Sequence, residues 1–538
     1  MHWSGNNYIY GNTANDNFIG IDLWNSNHNL ICYNNASRNS QRGIRLYGSI
    51  SCYNNTVIGN RLNLNHDGIQ LNYNCWNNTI KDNMAYDNPS SGITLINGCS
   101  FNTISGNMLL RNYYGLSLAN SFNNTILANN ASSNTWFGID LYQSENNTLS
   151  NNIIGDNENI GIQLYESIYN HVYGTITTRN LQGINLYESE YNMLAKNNVS
   201  FNSLDGIYLY RSNNNTIIEN EIFHNGLSGE NSGIFLDSSE DNVISDNNIS
   251  ENTYMGIFIA YGHLNQILSN FITDNSEDGI YLSRSENNTI SKNIIKSNLR
   301  FGVFLIDHSD FNNITWNYIE DNARGIELFL KSNDNFIGGN DVIRNSKEGF
   351  YLEDCTGLHI VKNLIINNSA EGIIIHNCND SVIYHNYLIG NSPNAVDNGF
   401  NNEWSWVSEG NYWDDYSGVD INGDGVGDTP YNIPGTAGSQ DNFPIYDDKP
   451  PLVSVDLSLN GTYIDSRPRI NVSAFDPNMD SIWYEINGQQ VTINSGIEVF
   501  IDDQIWIGLA DGTFIVKIYA IDLIGHINDS YSLILYKD

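Results

Sequence analysis

A tetrad of glycine, apolar residue, any residue, apolar residue starts at Gly20 and recurs at Gly43, Gly68, Gly92, Gly115, Gly138, Gly161 and Gly183. It continues at Gly206, Gly233, Gly256, Gly279, Gly302, Gly325, Gly349 and Gly372, with a degenerate copy at Ala395-Val396. Most of the intervals are 23 residues. A fixed period of this length marks a solenoid, since each unit is too small to bury its own apolar face and must stack on its neighbours. In the unit GIYLSRSENNTISKNIIKSNLRF, with Gly279 as position 1, apolar residues fall at positions 2, 4, 12 and 17 and asparagines at 9, 10, 15 and 20. Short alternating apolar runs are strand signals, and 23 residues hold three short strands and three turns with no room for a helix.

Strands that pair with their equivalents one unit on are parallel, and such crossovers are right-handed. The expected fold is therefore all-β: a right-handed parallel β-helix of about 16–17 turns over residues 1–400. Stacking at about 4.8 Å per turn makes a rod of roughly 75–80 Å. The asparagines suit turns, where they tolerate left-handed backbone, and stacked copies form hydrogen-bonded ladders. Longer leucine-rich units, or twice this period for a propeller, fit less well.

The repeat stops near Asp397. Residues 401–449, rich in Trp, Gly and Asp, read as a C-terminal cap in which Trp404, Trp406, Trp413 and Phe443 plug the open end of the core. Asp448-Lys449-Pro450-Pro451 reads as a linker. Residues 450–538 alternate strand-like segments with turn clusters, as in an immunoglobulin-like β-sandwich without its disulfide.

Much that looks functional follows from the repeat. Cys52, Cys75, Cys99, Cys355 and Cys378 share a column that elsewhere holds Ser121, Ser144, Ser167, Ser189, Ser212 and Ser285. Stacked free thiols are the expected state, the alternative being somewhat strained disulfides in the neighbouring pairs Cys75/Cys99 and Cys355/Cys378, whose Cα atoms would fall within range. The Asn-x-Ser/Thr sequons arise from the consensus itself. Asp307-His308 falls where other units carry turn residues. The net charge of −37 argues against nucleic acid and anionic membrane as partners. No apolar stretch of about 20 residues is present to span a membrane. The polar start MHWSGNNYIYGN carries no signal peptide and reads as the middle of a repeat. The expectation is an export signal and cap upstream; the alternative is that residues 1–19 are themselves the cap.

Two features depart from the repeat. Asp420, Asn422, Asp424 and Asp428 offer oxygens at positions 1, 3, 5 and 9 of a loop, with Gly425 at 6 and the Val426 carbonyl at 7. This matches a calcium loop lacking its bidentate Glu, the alternative being a metal-free turn; a calcium ion there would be structural. Outward positions of the repeat carry Tyr142, Tyr165, Tyr187 and Tyr210, and Tyr208, Phe235, Phe258, Tyr281 and Phe304, with Glu166 and Glu188 alongside. An exposed aromatic strip of this length points to glycan binding, to packing against another domain or subunit, or to strand propensity alone. No catalytic constellation of acids with Arg or Lys, no paired carboxylates and no grouped copper ligands stand out.

The units of the form GIxLxxSxxNxIxxNxI, followed by GNYWDDYSGVDINGDGVGDTPYNI and DNFPI, resemble the NosD-type periplasmic copper-binding β-helix family. That family lies within the carbohydrate-binding and sugar-hydrolase superfamily, and the chain looks most like its archaeal surface members with an immunoglobulin-like domain. The resemblance covers nearly all of residues 1–447. It implies the β-helix and saccharide contact, and by the family's name copper delivery during nitrous oxide reductase maturation, though the superfamily's pectate-lyase and polygalacturonase motifs are missing. The expected function is an extracellular or cell-surface protein that binds polysaccharide or a surface glycoprotein, or mediates adhesion, without catalysis. The alternatives are a polysaccharide lyase, epimerase or glycoside hydrolase, and, more distantly, a copper-delivery protein.

Overall fold

The computed structural model describes residues 1–447, 450–456, 460–476, 479–523 and 525–537, without the side chain of Ile497. Of the expected linker, Asp448 and Lys449 lie outside the described residues. The chain forms two compact units, Met1–Asn411 with Tyr431–Asn442, and Tyr412–Pro430 with Phe443–Asp538. The 401–449 segment contributes to both.

The first unit is the right-handed parallel β-helix. Its main sheet has 17 strands, from Ile19–Trp24 to Ala395–Phe400, every neighbouring pair parallel. A second parallel sheet of 17 strands runs from Tyr8–Tyr10 to Val382–Tyr384. A third sheet follows from Ile153–Gly155 to Tyr387–Ile389. The degenerate copy at Ala395-Val396 is a full strand, paired Ile373 to Ala395. Ahead of Gly20, residues 2–13 stack in register on residues 24–35.

Each coil is built alike. Ile280, Leu282, Ile290 and Ile295 are fully buried and fill one layer of the core. Asn288, Asn293 and Asn298 sit at the three corners, all buried. Asn293 Nδ2 donates to the Ile267 carbonyl at 2.9 Å and to Asn317 Oδ1 at 2.9 Å. Its own Oδ1 accepts from Asn270 N at 2.9 Å and Asn270 Nδ2 at 3.0 Å. Each amide thus satisfies the corner N–H of the preceding coil, which lies outside the strands, and adds a bond to a strand carbonyl. Where Thr175 replaces Asn, its hydroxyl accepts from Asn152 N at 3.4 Å.

The left-handed residues are not these asparagines but their predecessors. Asn287, Lys292 and Ser297 have φ of 57°, 59° and 52°. The repeated glycines are needed for closeness: a Cβ on Gly279 would stand 2.7 Å from the Gly302 carbonyl oxygen and 2.5 Å from Ile295 Cγ2.

The six cysteines are buried free thiols, and Cys355 N donates to Cys378 Sγ at 3.3 Å within the serine column. Asp307 and His308 form an exposed turn with φ of 54° and 60°. At the C-terminal end of the coil Trp404 is buried, its Nε1 donating to Asp397 Oδ2 at 2.9 Å. Trp406 is half exposed and does not plug the core, because it lies in a small turn closed by its own backbone pairing with Glu409.

In the second unit, strands Leu452–Val455, Arg469–Phe475 and Ile497–Phe500 form one sheet. Strands Tyr463–Ile464, Ile527–Lys537, Gly512–Asp522, Met479–Ile486 and Gln489–Ile493 form the other. Val472, Tyr484, Val516, Ile518 and Leu533 lie in their shared core. A single helical turn, Asp503–Gly508, capped by Asp502, was not legible in the sequence. No helix among the described residues is long and apolar enough to cross a membrane, which says nothing of β-barrel spans.

Candidate functional site

The outward face of the main sheet carries the aromatic residues, because the third and fifth residues of each unit alternate with inward ones along a strand. They form two columns. Tyr142, Tyr165, Tyr187 and Tyr210 stack with ring centroids 5.5, 4.8 and 5.0 Å apart. Tyr208, Phe235, Phe258, Tyr281 and Phe304 follow one another with centroids 5.2, 4.5, 5.0 and 5.1 Å apart. The columns meet on the strand Ile207–Tyr210. Of these seven contacts three are face to face, two are tilted and two are edge to face. The second column is a floor rather than an open strip, and Phe304 is only 3% exposed, overlaid by Phe301 and by the Arg300 guanidinium 5.3 Å from its ring centroid. Glu166 Oε2 accepts from Gln143 Nε2 at 2.6 Å, and Glu188 lies 3.7 Å from Arg211.

Two places on this face bring polar chemistry to the rings. The first is a pocket of about 430 Å³ lined by Tyr114, Phe137, Tyr142 and Tyr165 with Ser117, Asp140 and Gln163. Ser117 Oγ donates to Asp140 Oδ2 at 3.3 Å. Burial nevertheless pushes the Asp140 carboxyl up to about 7, and it pushes the Tyr114 hydroxyl, which also faces Asp140, up to about 12.

The second is a cluster of acids and arginines that sequence reasoning missed. Arg324 holds Glu327 at 2.6 Å and Glu348 at 2.6 Å, and lies 4.0 Å over the Tyr351 ring. Arg300 lies 3.6 Å from Asp278 and 3.8 Å from Glu277. Asp278 is fully buried; its Oδ1 accepts from Phe301 N at 3.0 Å while its Oδ2 makes no hydrogen bond. Burial outweighs Arg300 and pushes Asp278 up to about 7. The available signal was the residue just before each repeat glycine. That column reads Asp278, Phe301, Arg324 and Glu348, and it flanks the column of Tyr281, Phe304, Glu327 and Tyr351.

In the loop expected to hold calcium, Asp420 Oδ1 accepts from Gly423 N at 2.6 Å and its Oδ2 from Gly425 N at 2.8 Å. Asp424 Oδ1 accepts from Val426 N at 3.0 Å, Asp428 Oδ2 from Ile421 N at 2.6 Å, and Asn422 Nδ2 donates to Asp424 Oδ2 at 3.0 Å.

A family profile described as periplasmic copper-binding protein (NosD) matches residues 1–135, 87–229, 206–328 and 317–418. No curated protein matches. Among solved structures, a mutant of the periplasmic alginate epimerase AlgG is 17% identical with a TM-score of 0.36, over 58% of this chain and 76% of that one. The Azotobacter vinelandii mannuronan C-5 epimerase AlgE6 A-module is 15% identical with a TM-score of 0.33, over 62% and 88%. The Dettilon tailspike protein is 13% identical with a TM-score of 0.34, over 76% and 72%. Scores this low leave function to be argued from the residues themselves.

The matched region assembles no copper site from three His, Cys or carboxylate ligands among its described residues. Among the described residues of 1–418, no three His, Cys, Asp or Glu ligand atoms lie within 4.8 Å of one another. The thiols, which would favour Cu(I), are buried in the coil.

Proposed function

The chain belongs to the NosD family, described as periplasmic copper-binding protein, and on that premise we propose that it binds polysaccharide along the outer face of its main sheet. The observation that carries this reading is the pocket at Asp140. It combines what a sugar ring needs: apolar ring surface from Phe137 and Tyr142, a carboxyl, an amide and a hydroxyl to meet its hydroxyl groups. Tyr142 is 40% exposed. The aromatic columns carry the same chemistry onward from coil to coil, so a long glycan, free or on a surface glycoprotein, is the fitting partner. The site of action is outside the cytoplasmic membrane, and the Asp420–Asp428 loop takes a structural calcium ion.

Affinity electrophoresis of the full chain through a panel of neutral and acidic polysaccharides tests the reading. At least one glycan retards the protein, and Tyr142→Ala and Gln163→Ala abolish the retardation while far-UV circular dichroism stays unchanged. Retardation unaffected by both substitutions removes the pocket from the function.

A second reading, an enzyme acting on the same glycan, is favoured by the acid and arginine cluster around Asp278, Arg300 and Arg324. A buried carboxyl that titrates near neutrality, beside a cation, is the arrangement that proton transfer uses. Chain shortening, new unsaturation or inverted sugar configuration in the glycan after incubation, lost in Arg300→Ala, distinguishes it from binding alone.

A further inference from the structure

The second unit brings together three side chains from distant points in the sequence. Asp447 follows the segment DNFPIY, Asp522 ends the strand Gly512–Asp522, and His526 lies just before the strand Ile527–Lys537. One ligand atom from each lies within 4.8 Å of the other two. His526 Nδ1 is 2.9 Å from Asp522 Oδ2, and although it is a buried atom it makes no hydrogen bond. The Asp522 side chain is fully buried, and its Oδ1 already accepts from His526 N at 2.8 Å, which fixes the turn that presents the ring.

Two carboxylates and an imidazole nitrogen converging within 4.8 Å form a mixed oxygen and nitrogen donor set of the kind that holds a divalent ion. The donors match a tetrahedral ion with one position open: imidazole nitrogen and carboxylate oxygen bind Zn2+ at about 2.0–2.2 Å, so neighbouring ligand atoms stand roughly 3.3–3.6 Å apart. His526 Nδ1 and Asp522 Oδ2, 2.9 Å apart, open to that spacing, and an Asp447 oxygen, within 4.8 Å of both, closes to it. Calcium takes oxygen donors almost alone and is disfavoured by the imidazole.

We propose that Asp447, Asp522 and His526 form a binding site for a divalent ion of the zinc class, separate from the calcium-like loop. The ion clasps residues 443–447 to the hairpin that joins the last two strands, so it stabilises the second unit.

Isothermal titration of the chelator-stripped full chain with Zn2+, Mn2+ and Ca2+ tests this. The expected result is one equivalent of Zn2+ bound at a site that Asp424→Asn leaves intact, with an upward shift of the thermal unfolding transition. His526→Gln weakens that binding by about 100-fold or more, more than loss of an outer hydrogen-bond partner does. Asp447→Asn, at the half-buried ligand, does the same and covers the case in which His526→Gln disturbs the hairpin. No Zn2+ binding by the stripped protein, or binding unchanged in both folded variants, overturns the proposal.

Discussion

Replacing Asn293 by alanine isolates what one corner amide is worth. The side chain makes four hydrogen bonds: from Nδ2 to the Ile267 carbonyl and Asn317 Oδ1, and to Oδ1 from Asn270 N and Asn270 Nδ2. Alanine removes all four and admits no water, since Asn270, Asn293 and Asn317 are 1% exposed at most. Asn270 Nδ2 keeps the Ile244 carbonyl and Asn317 Oδ1 keeps the Asn293 N–H, so two partners stay satisfied. The Ile267 carbonyl stays in the strand ladder, where Ile267 pairs with Ile290, so only the Asn270 N–H is left bare. At about 1 kcal/mol for each bond lost with its partner still satisfied, and about 1–3 kcal/mol for the group left bare, the cost is roughly 4–6 kcal/mol. Gln266→Ala, on an exposed strand position one coil earlier, is the control and stays within about 0.5 kcal/mol. Because coils couple mainly to their neighbours, unfolding need not be one step. Native-state hydrogen exchange of the amides in residues 266–318 is therefore the assay, with urea unfolding beside it. Protection lost in that window while distant coils keep theirs is the expected result. Asn293→Ala indistinguishable from Gln266→Ala would refute the claim that the ladder holds the corners.

Burial raises the carboxyls of Asp140 and Asp278 to about 7 and that of Asp205 to about 6. A raised folded-state value gives stability that is present below the ordinary Asp value and lost as pH rises through the folded one. Thermal unfolding should therefore shift upward as pH falls from 8 to 5, by less in Asp140→Asn. Gly279→Ala forces a Cβ against Ile295 and the Gly302 carbonyl and should cost about 1–3 kcal/mol, read as a lower urea midpoint. Arg324→Ala leaves Glu327 and Glu348, both mostly buried, without their cation and should cost about 3–5 kcal/mol, partly recovered by Glu327→Gln in the same chain.

The coil was legible in the sequence because its constraint is local and repeated. Gly279, Ile280, Leu282 and Asn293 each recur with the same neighbours, so the period itself reports the contact. The aromatic residues were placed on the correct face, but their exposure was not legible. Phe304 is covered by Phe301, the first residue of its own strand, and by Arg300 just ahead of it, and no alternation rule reports a side chain folding over from there. The Asp278 cluster escaped for the same reason, since its members alternate between two columns and two sequence positions. Asp447, Asp522 and His526 lie up to 79 residues apart, with no period to connect them.

The register of the main sheet carries a consequence for how such a chain changes length. Phe235 pairs with Phe258 and Phe258 with Tyr281, each one whole unit along. Cutting out one unit between equivalent residues rejoins matching edges, with every corner amide meeting a new but identical partner. An internal duplication does the same in reverse. The molecule is in this respect a gauge whose reach is set by counting links, and a polymer laid along it would be measured in steps of one coil.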